Sequence, residues 1–372
     1  MRVGTVREIK THEYRVGLTP SGVRSFRQRG HEVLVERGAG HHAGFEDEEY
    51  ADAGASLVDG ADDVYATCDM VVKVKEPQAD EIGKLRTSQI LFTYLHLAAD
   101  RDLTEALLES GIQAVAYETI TNAEGALPCL KPMSEIAGRL SVQEGAKYLE
   151  KPFGGRGILL GGVPGIPRGR IAILGGGVVG ANACKIAVGI GADVTLLDVN
   201  PTRLAYLDDI FGSRVTTLYS TDSNIEMVLR ECDILIGAVL IPGQAAPKLV
   251  RREHLALMKS GAVIVDVAVD QGGCVETIRP TSHDDPVYIV DEVVHYGVTN
   301  LPGAVARSST QALTSTTLSY GLAIAEHGLA AAMRADSGLR AGLNLYEGRV
   351  THEAVASSLG MDYVPASSAL NN

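Results

Sequence analysis

The stretch "RIAILGGGVVGANACKIAVGIGADVTLLD" constrains this chain more than any other part of it. An apolar run ending at Leu174 is followed by Gly175, Gly177 and Gly180 in GxGxxG spacing, a helical pattern, and a second apolar run that closes on Asp198. Each position has a physical reason. The first glycine makes a tight turn, the second lets backbone approach a pyrophosphate, and the third lets the helix pack on its strand. The helix N-terminus then offers unpaired N–H groups to the anion. A carboxylate 18 residues beyond Gly180 accepts hydrogen bonds from ribose hydroxyls and repels a 2′-phosphate, so NAD is expected rather than NADP. Arg203 either offsets that charge or lies in solvent as an ordinary helix residue.

The loop opens a series of six strand-like runs: "RIAILGGG", "DVTLLD", "RVTTLYS", "DILIGAV", "GAVIVDVA" and "VYIVDEVVHYGV". Before it, "RVGTV", "EVLVE", "MVVKVK", "ILFTYLHL" and "AVAYET" alternate with helical patterns such as "SGVRSFRQRG", where Ser21 can cap, and "DRDLTEALLESG", which closes on a C-cap glycine. Alternation of this kind predicts parallel sheets covered by helices. "GGRGILLGGVPGIPRG" reads as a hinge or loop. From Ser308 the pattern becomes a long Ala/Leu/Thr-rich helix and a shorter helical tail, with no strand expected and the last residues, "YVPASSALNN", free of signal. The expected fold is α/β with two Rossmann-like doubly wound domains. Residues 129–306 would form an NAD-binding domain inserted into a discontinuous substrate domain of residues 1–128 plus 307–372, with the substrate in the cleft between them.

A length of 372 residues suits two such cores. The formal charge of -13 argues against nucleic acid and anionic membrane surfaces as partners. No run is apolar enough for a signal peptide or a membrane span, and five scattered cysteines without a CxxC pair suit reduced thiols, so a cytoplasmic location is expected.

Several polar residues fall where strands give way to loops, which is where open α/β sheets bind ligands. Arg15 lies in the loop "KTHEYRVGLTP" and can grip a carboxylate in bidentate fashion. His96 ends "QILFTYLHL" and can titrate near neutral pH as acid or base. In "MVVKVKEP" two lysines share one strand face: Lys75 sits at the strand end beside that site, whereas Lys73, two residues deeper, has no evident partner. In "VIVDVAVDQGGC" either Asp266 or Asp270 can face the cofactor, and Asp270 is preferred because it lies farther into the loop.

In order and spacing, "MRVGTVREIKTHEYRVGLTP", "KVKEP", "LFTYLHLA", "MSEIAGRL", "GGVPG", the glycine loop and "VDVAVDQGGC" resemble bacterial L-alanine dehydrogenases over essentially the whole chain. The resemblance implies reversible oxidative deamination of L-alanine to pyruvate and ammonia with NAD. It makes Arg15, Lys75, Met133 and Asn300 substrate residues, His96 the acid/base group, and Asp270 an aid to proton and ammonia handling. It also implies cofactor contacts at Ser134, Gly175, Gly177, Val178, Val179, Gly180, Asp198, Arg203, Ser220, Val239, Leu240, Val267, Ala268, Val269, Asp270, Arg279, Val298, Thr299, Asn300 and Leu301. Arg203 stands where the resemblance leads one to expect lysine, and Leu301 where methionine is common. It further implies a homo-hexamer and, at Glu13 and His327, a divalent cation such as magnesium. Two rivals share the plan. One is the NAD-binding component of a proton-translocating transhydrogenase, which needs no amino-acid site, and the other is a lysine or saccharopine dehydrogenase, which needs room for a longer substrate.

Overall fold

The computed structural model describes residues 1–239 and 246–371. The chain divides into two compact units, Met1–Met133 with Gly303–Asn372, and Ser134–Pro302. Each is built on its own largely parallel sheet.

In the first unit, β1 (Arg2–Thr5), β2 (Glu32–Glu36), β3 (Ser56–Val58), β4 (Met70–Val72), β5 (Ile90–Thr93) and β6 (Gln113–Ala116) run parallel. In the second unit, β7 (Arg170–Leu174), β8 (Asp193–Asp198), β9 (Val215–Tyr219), β10 (Ile234–Gly237) and β11 (Val263–Asp266) do the same, and β12 (Val287–Val290) and β13 (Val293–Tyr296) complete that sheet. Two C-terminal strands, β14 (Leu343–Tyr346) and β15 (Arg349–Val350), close the first sheet, whose order is β15-β14-β6-β5-β4-β1-β2-β3. The second is β12-β13-β11-β10-β7-β8-β9. In both, the winding direction reverses beside the first strand of the unit, between β1 and β4 and between β7 and β10. The loops leaving the C-terminal ends of strands at such a reversal splay apart and leave a crevice for a ligand.

Sequence and structure differ in instructive places. The run "VYIVDEVVHYGV" is two antiparallel strands, not one, because Asp291 and Glu292 both take positive φ (48° and 65°) and form a two-residue hairpin turn. The C-terminal segment contains strands where none was expected: "LNLYEGRV" turns at Glu347 and Gly348, again both at positive φ, and β14 lies antiparallel on β6. The strand β3 is only three residues long, too short to give a periodic signal in the sequence. Thr19, not Ser21, caps the helix Pro20–Gln28, its side chain accepting from the Gly22 N–H, with Pro20 in the first turn. The helix Arg101–Ser110 ends at left-handed Gly111 as its spacing predicts. The Ala-rich helix Ala306–His327 stops at Gly328 and restarts as Leu329–Ala335. Near the C-terminus Ala369 and Leu370 are buried, and Arg334 donates to the Leu370 carbonyl at 2.6 Å.

The first core joins Val64, Tyr65, Leu91, Leu95 and Leu107 to Leu345, Val350 and Val355 from the far end of the chain. A second cluster, including Leu174, Leu229, Leu235 and Ile264, fills one side of the other sheet. All five cysteines are buried free thiols, and among the described residues no helix is long and apolar enough to cross a membrane. Ending the chain at Asp336 removes five side chains of the first core, Leu345, Val350, Val355, Ala356 and Leu359, of which each leucine and valine is worth about 1.5–3 kcal/mol of burial, and bares the β6 edge. The truncated chain is expected to aggregate or to melt at least 10 °C below the full chain in calorimetry, by roughly 2–4 °C per kcal/mol for a unit of this size. An unchanged midpoint would show that the last strands are dispensable.

Candidate functional site

In the first unit the crevice is lined from the loops after β1, β4 and β5. The Arg15 guanidinium is 2 % exposed, and Glu13 meets it side-on: Nε and Nη2 each donate to a different Glu13 oxygen at 2.6 Å. Nη1 donates to Met133 Sδ at 3.0 Å. Burial works against the Arg15 charge, but the hydrogen-bonded Glu13 carboxylate more than restores it and leaves the guanidinium above its ordinary value. One edge of the fork expected to grip a ligand is thus already used.

Lys75 lies past the end of β4, its backbone carbonyl accepting from Thr93 Oγ1 at 3.0 Å. Burial lowers its ammonium below the usual lysine range, helped by the cations of Arg15 and Lys10 and opposed by Glu76 and Glu13. A cation held in this state gains from an incoming carboxylate. The lysines were expected within the strand, but β4 ends at Val72, and the pairing continues only as single hydrogen bonds, Lys73 N–H to Phe92 O at 3.1 Å and Tyr94 N–H to Val74 O at 3.2 Å.

Lys73 has found its partners. Its side chain has 0 % exposure and its Nζ donates to Glu8 Oε2 at 3.1 Å and Glu81 Oε1 at 2.8 Å. Tyr65 OH also donates to Glu81 Oε1 at 2.8 Å.

His96 adopts a left-handed backbone, φ 52°, where non-glycine residues are uncommon. Glu118 supports that turn: it accepts the N–H of His96 at 2.6 Å and that of Leu95 at 3.2 Å. The His96 side chain is 50 % exposed, its Nδ1 lies 4.0 Å from Glu118 Oε1, and its ring stacks parallel to Tyr94 with centroids 5.9 Å apart. Tyr94 in turn donates to the Cys129 carbonyl at 2.7 Å, and burial pushes its phenol well above the usual range. The structure therefore gathers Arg15, Lys75, His96 and Met133 in one unit. The sequence reading overlooked Glu13 as the partner of Arg15, and Tyr94 and Glu118 altogether, although an acid just past "AVAY" was a visible signal.

Glu13 and His327 do not fit a divalent cation. Both Glu13 oxygens serve Arg15, His327 is an exposed residue whose Nε2 lies 3.9 Å from Glu326, and among the described residues no group of three histidine, cysteine or acidic side chains is arranged around a metal position.

In the second unit the glycine loop follows β7 as expected. Gly175 takes φ +99°, and a Cβ there would sit 2.6 Å from the Ala238 carbonyl oxygen; at Gly180 it would sit 1.8 Å from the Gly175 carbonyl oxygen. Nothing lies within 4 Å of the Cβ position of Gly177, which precedes the helix Val178–Ile190 without a side-chain cap. Open space, uncapped N–H groups and close backbone at the two outer glycines fit a pyrophosphate. The half-buried Asp198 accepts from the N–H groups of Gly176 at 2.6 Å and Asn200 at 2.8 Å. Arg203 lies on the helix Pro201–Phe211, where its Nε donates to the Gly176 carbonyl and its guanidinium lies 4.9 Å from the Tyr206 ring centroid. Val178 is exposed and Val179 buried at the helix start, and the Ser220 N–H donates to the Asp198 carbonyl at 3.0 Å.

Val239 approaches Gly175, while Leu240 lies outside the described residues. After β11, Asp266 is buried and accepts the N–H groups of Ala268 and Val275, each at 3.0 Å; burial raises its carboxyl above the usual range. It holds the turn on which Val267 is half-buried, Ala268 and Val269 are buried, and Asp270 is exposed. Arg279 stacks over Tyr288 at 4.2 Å, Val298 and Leu301 are buried, the Thr299 N–H donates to Thr281 O at 3.3 Å, and Asn300 takes φ 56°. Ser134, half-buried, stands at the start of this unit on the helix Lys131–Tyr148, which the sequence reading did not identify. That helix packs so closely on the next that a Cβ on Gly138 would lie 2.2 Å from the Val179 carbonyl oxygen.

Comparison with known proteins agrees in every part of the chain. The family described as "Alanine dehydrogenase/PNT, N-terminal domain" matches residues 4–137 and "Alanine dehydrogenase/PNT, C-terminal domain" matches residues 141–353. The chain is 53% identical over 368 residues, 99% of either chain, to an alanine dehydrogenase of Halomonas elongata. A solved L-alanine dehydrogenase is 53% identical with a TM-score of 0.95, covering 97% of this chain and 99% of its own. A transhydrogenase from Sinorhizobium meliloti matches at 26% identity and a TM-score of 0.83, over 95% of this chain and 100% of its own. With both halves and the full length accounted for, the chain belongs to the alanine dehydrogenase/PNT family.

Proposed function

We propose that this protein catalyses the reversible, NAD-dependent oxidative deamination of L-alanine: alanine, water and NAD give pyruvate, ammonium, NADH and a proton. The observation that carries this reading is 53% identity over 99% of the chain to an alanine dehydrogenase. The cluster of Arg15, Lys75 and His96 at one sheet reversal supplies the chemistry.

Arg15 and Lys75 bind the substrate carboxylate and carbonyl oxygen. Glu13 occupies the Nε side of the guanidinium, so the substrate meets Arg15 from its Nη1 side, beside Met133. His96 moves the proton. Its Nδ1 faces Glu118 at 4.0 Å, which leaves Nε2 to take a proton from the amino group or its water adduct and to return one in the aminating direction. Bound NAD supplies the hydride acceptor and NADH the donor. Gly175, Gly177 and Gly180 with the helix start at Val178 and Val179 hold the pyrophosphate, and Asp198 holds the ribose hydroxyls. From the family resemblance we assign Asp270 to proton and ammonia handling and Asn300 to the substrate pocket. On the same ground we assign the remaining cofactor contacts to Ser134, Arg203, Ser220, Val239, Leu240, Val267–Val269, Arg279, Val298, Thr299 and Leu301, and infer a homo-hexamer acting in the cytoplasm.

The transhydrogenase component is the second reading, and the 26% identical match gives it a place. Purified protein with NAD and L-alanine is expected to form NADH, followed by absorbance. No NADH with alanine, but hydride exchange with a transhydrogenase partner, would reverse the assignment, and preference for lysine would point to the longer-substrate enzymes. Lys75→Ala and His96→Ala should each bind NADH normally while losing about 10²–10⁴ in kcat; near-normal turnover in either would remove its assigned role. A third expectation follows from the lowered ammonium of Lys75. Its charged form binds carboxylate, so pyruvate affinity for the enzyme–NADH complex should fall as pH rises through a value below the ordinary lysine pKa of about 10.4. NADH fluorescence reads this out, and an affinity constant up to that ordinary value would contradict it.

A further inference from the structure

Lys73 pairs with Glu8 and Glu81, and these two carboxylates tie together three separate segments around the backbone that carries Lys75. Glu8 comes from the loop after β1, Glu81 from the short helix Ala79–Ile82, and Tyr65, which shares Glu81 Oε1, from the helix Ala61–Thr67. The other Glu81 oxygen accepts the Gln78 N–H at 2.8 Å and closes the capping box of its helix. Glu8 divides its oxygens in the same way: Oε2 faces Lys73, while Oε1 accepts the Val74 N–H at 2.6 Å and lies 3.4 Å from the Lys75 nitrogen. Strand pairing has ended at Val72, so these N–H groups lack the regular ladder that would otherwise fix them. Thr93 Oγ1 secures the Lys75 carbonyl from the opposite side.

We propose that Lys73, acting through Glu8, is a positioning residue for the reaction: the buried Glu8–Lys73–Glu81 cluster fixes the peptide from which Lys75 reaches the substrate. The proposal rests on the alanine dehydrogenase reading and goes beyond it by assigning a task to three residues outside the substrate and cofactor contacts named there. Lys73 orients Glu8, Glu8 holds the Val74–Lys75 backbone, and Lys75 keeps its ammonium at a half-buried point among Arg15, Lys10, Glu13 and Glu76. Without the clamp the Lys75 side chain can swing toward solvent. A displacement of about 1 Å in a substrate-binding group costs about 10²-fold in rate.

The test compares Glu8→Ala, Glu8→Gln and Lys73→Met with the unaltered full-length enzyme. Glu8→Ala removes the acceptor of the Val74 N–H, whereas the carbonyl oxygen of Glu8→Gln can still accept it. Glu8→Ala and Lys73→Met are expected to lose about 10²-fold in kcat/KM for pyruvate, with Glu8→Gln within about tenfold of the parent. NADH affinity should stay within twofold in all three, because the glycine loop lies in the other unit. In Glu8→Ala the alkaline fall in pyruvate affinity should also move up toward the ordinary lysine range as Lys75 leaves its buried position, a shift that loss of folded protein alone does not produce. Should Lys73→Met fail to fold, the two Glu8 variants carry the comparison. The proposal is overturned if folded Glu8→Ala keeps the parent kcat/KM and alkaline limb, or if Glu8→Gln falls as far as Glu8→Ala. If the parent enzyme itself forms no NADH with alanine, the alanine dehydrogenase reading fails, an outcome separate from both.

Discussion

An ammonium group shut away from water must be met by anions, and in the first unit that requirement is satisfied by Glu8 and Glu81 around Lys73. Removing one partner of such a buried group costs about 3–5 kcal/mol, because the charge left behind has no solvent to turn to. The consequence reaches past stability. Glu8 gives one oxygen to the cation and the other to the backbone leading into Lys75, so the order of the charge cluster is passed to the end of the central strand β4. The neighbouring Arg15–Glu13 pair follows the same pattern on the loop after β1, with Nε and Nη2 of the guanidinium donating to Glu13 and Nη1 to Met133.

Both units use one topological device for different ends. The winding reversal in the second sheet places a glycine loop whose backbone admits no Cβ at two of its three glycines, and it leaves an uncapped helix start for an anion. In the first sheet the equivalent reversal carries buried cations and a histidine on a strained turn, suited to a small carboxylate and a moving proton. On the proposed reading, backbone N–H groups and Asp198 serve the cofactor, and the side chains of Arg15, Lys75 and His96 serve the substrate. The division follows from the ligands, since a pyrophosphate is read well by N–H groups while proton transfer at a carbon needs a titratable group.

What could be read in the sequence was what is local. The glycine spacing, Asp198 and the loops past β4 and β5 that carry Lys75 and His96 lie within single β–loop–helix segments, so periodicity and turn chemistry reveal them. Of the partners of Lys73, Glu8 was hidden because it is 65 residues away and only the adjacency of β1 and β4 brings it near, whereas Glu81 lies just eight residues on, across a turn and on a short helix. The hold of Glu118 on His96 likewise depends on the pairing of β5 with β6. Other misses were local and avoidable. Glu13 and Arg15 are two residues apart, and the turns Asp291–Glu292 and Glu347–Gly348 sit between short apolar runs that read as hairpins once positive φ is allowed for. The expected metal failed for a chemical reason, because the carboxylate assigned to it was already committed to an arginine.

On the proposal above, a buried charge cluster orders the backbone that carries Lys75 before any ligand arrives. Amide hydrogen exchange at Val74 in the ligand-free protein tests it most directly, because that N–H lies beyond the end of the strand and is held by Glu8 at 2.6 Å. Protection comparable to that of the β4 residues in the parent, lost by at least tenfold in Glu8→Ala while Val71 stays protected, is the predicted result. Rapid exchange at Val74 in the parent, or equal protection in the two proteins, would contradict the account.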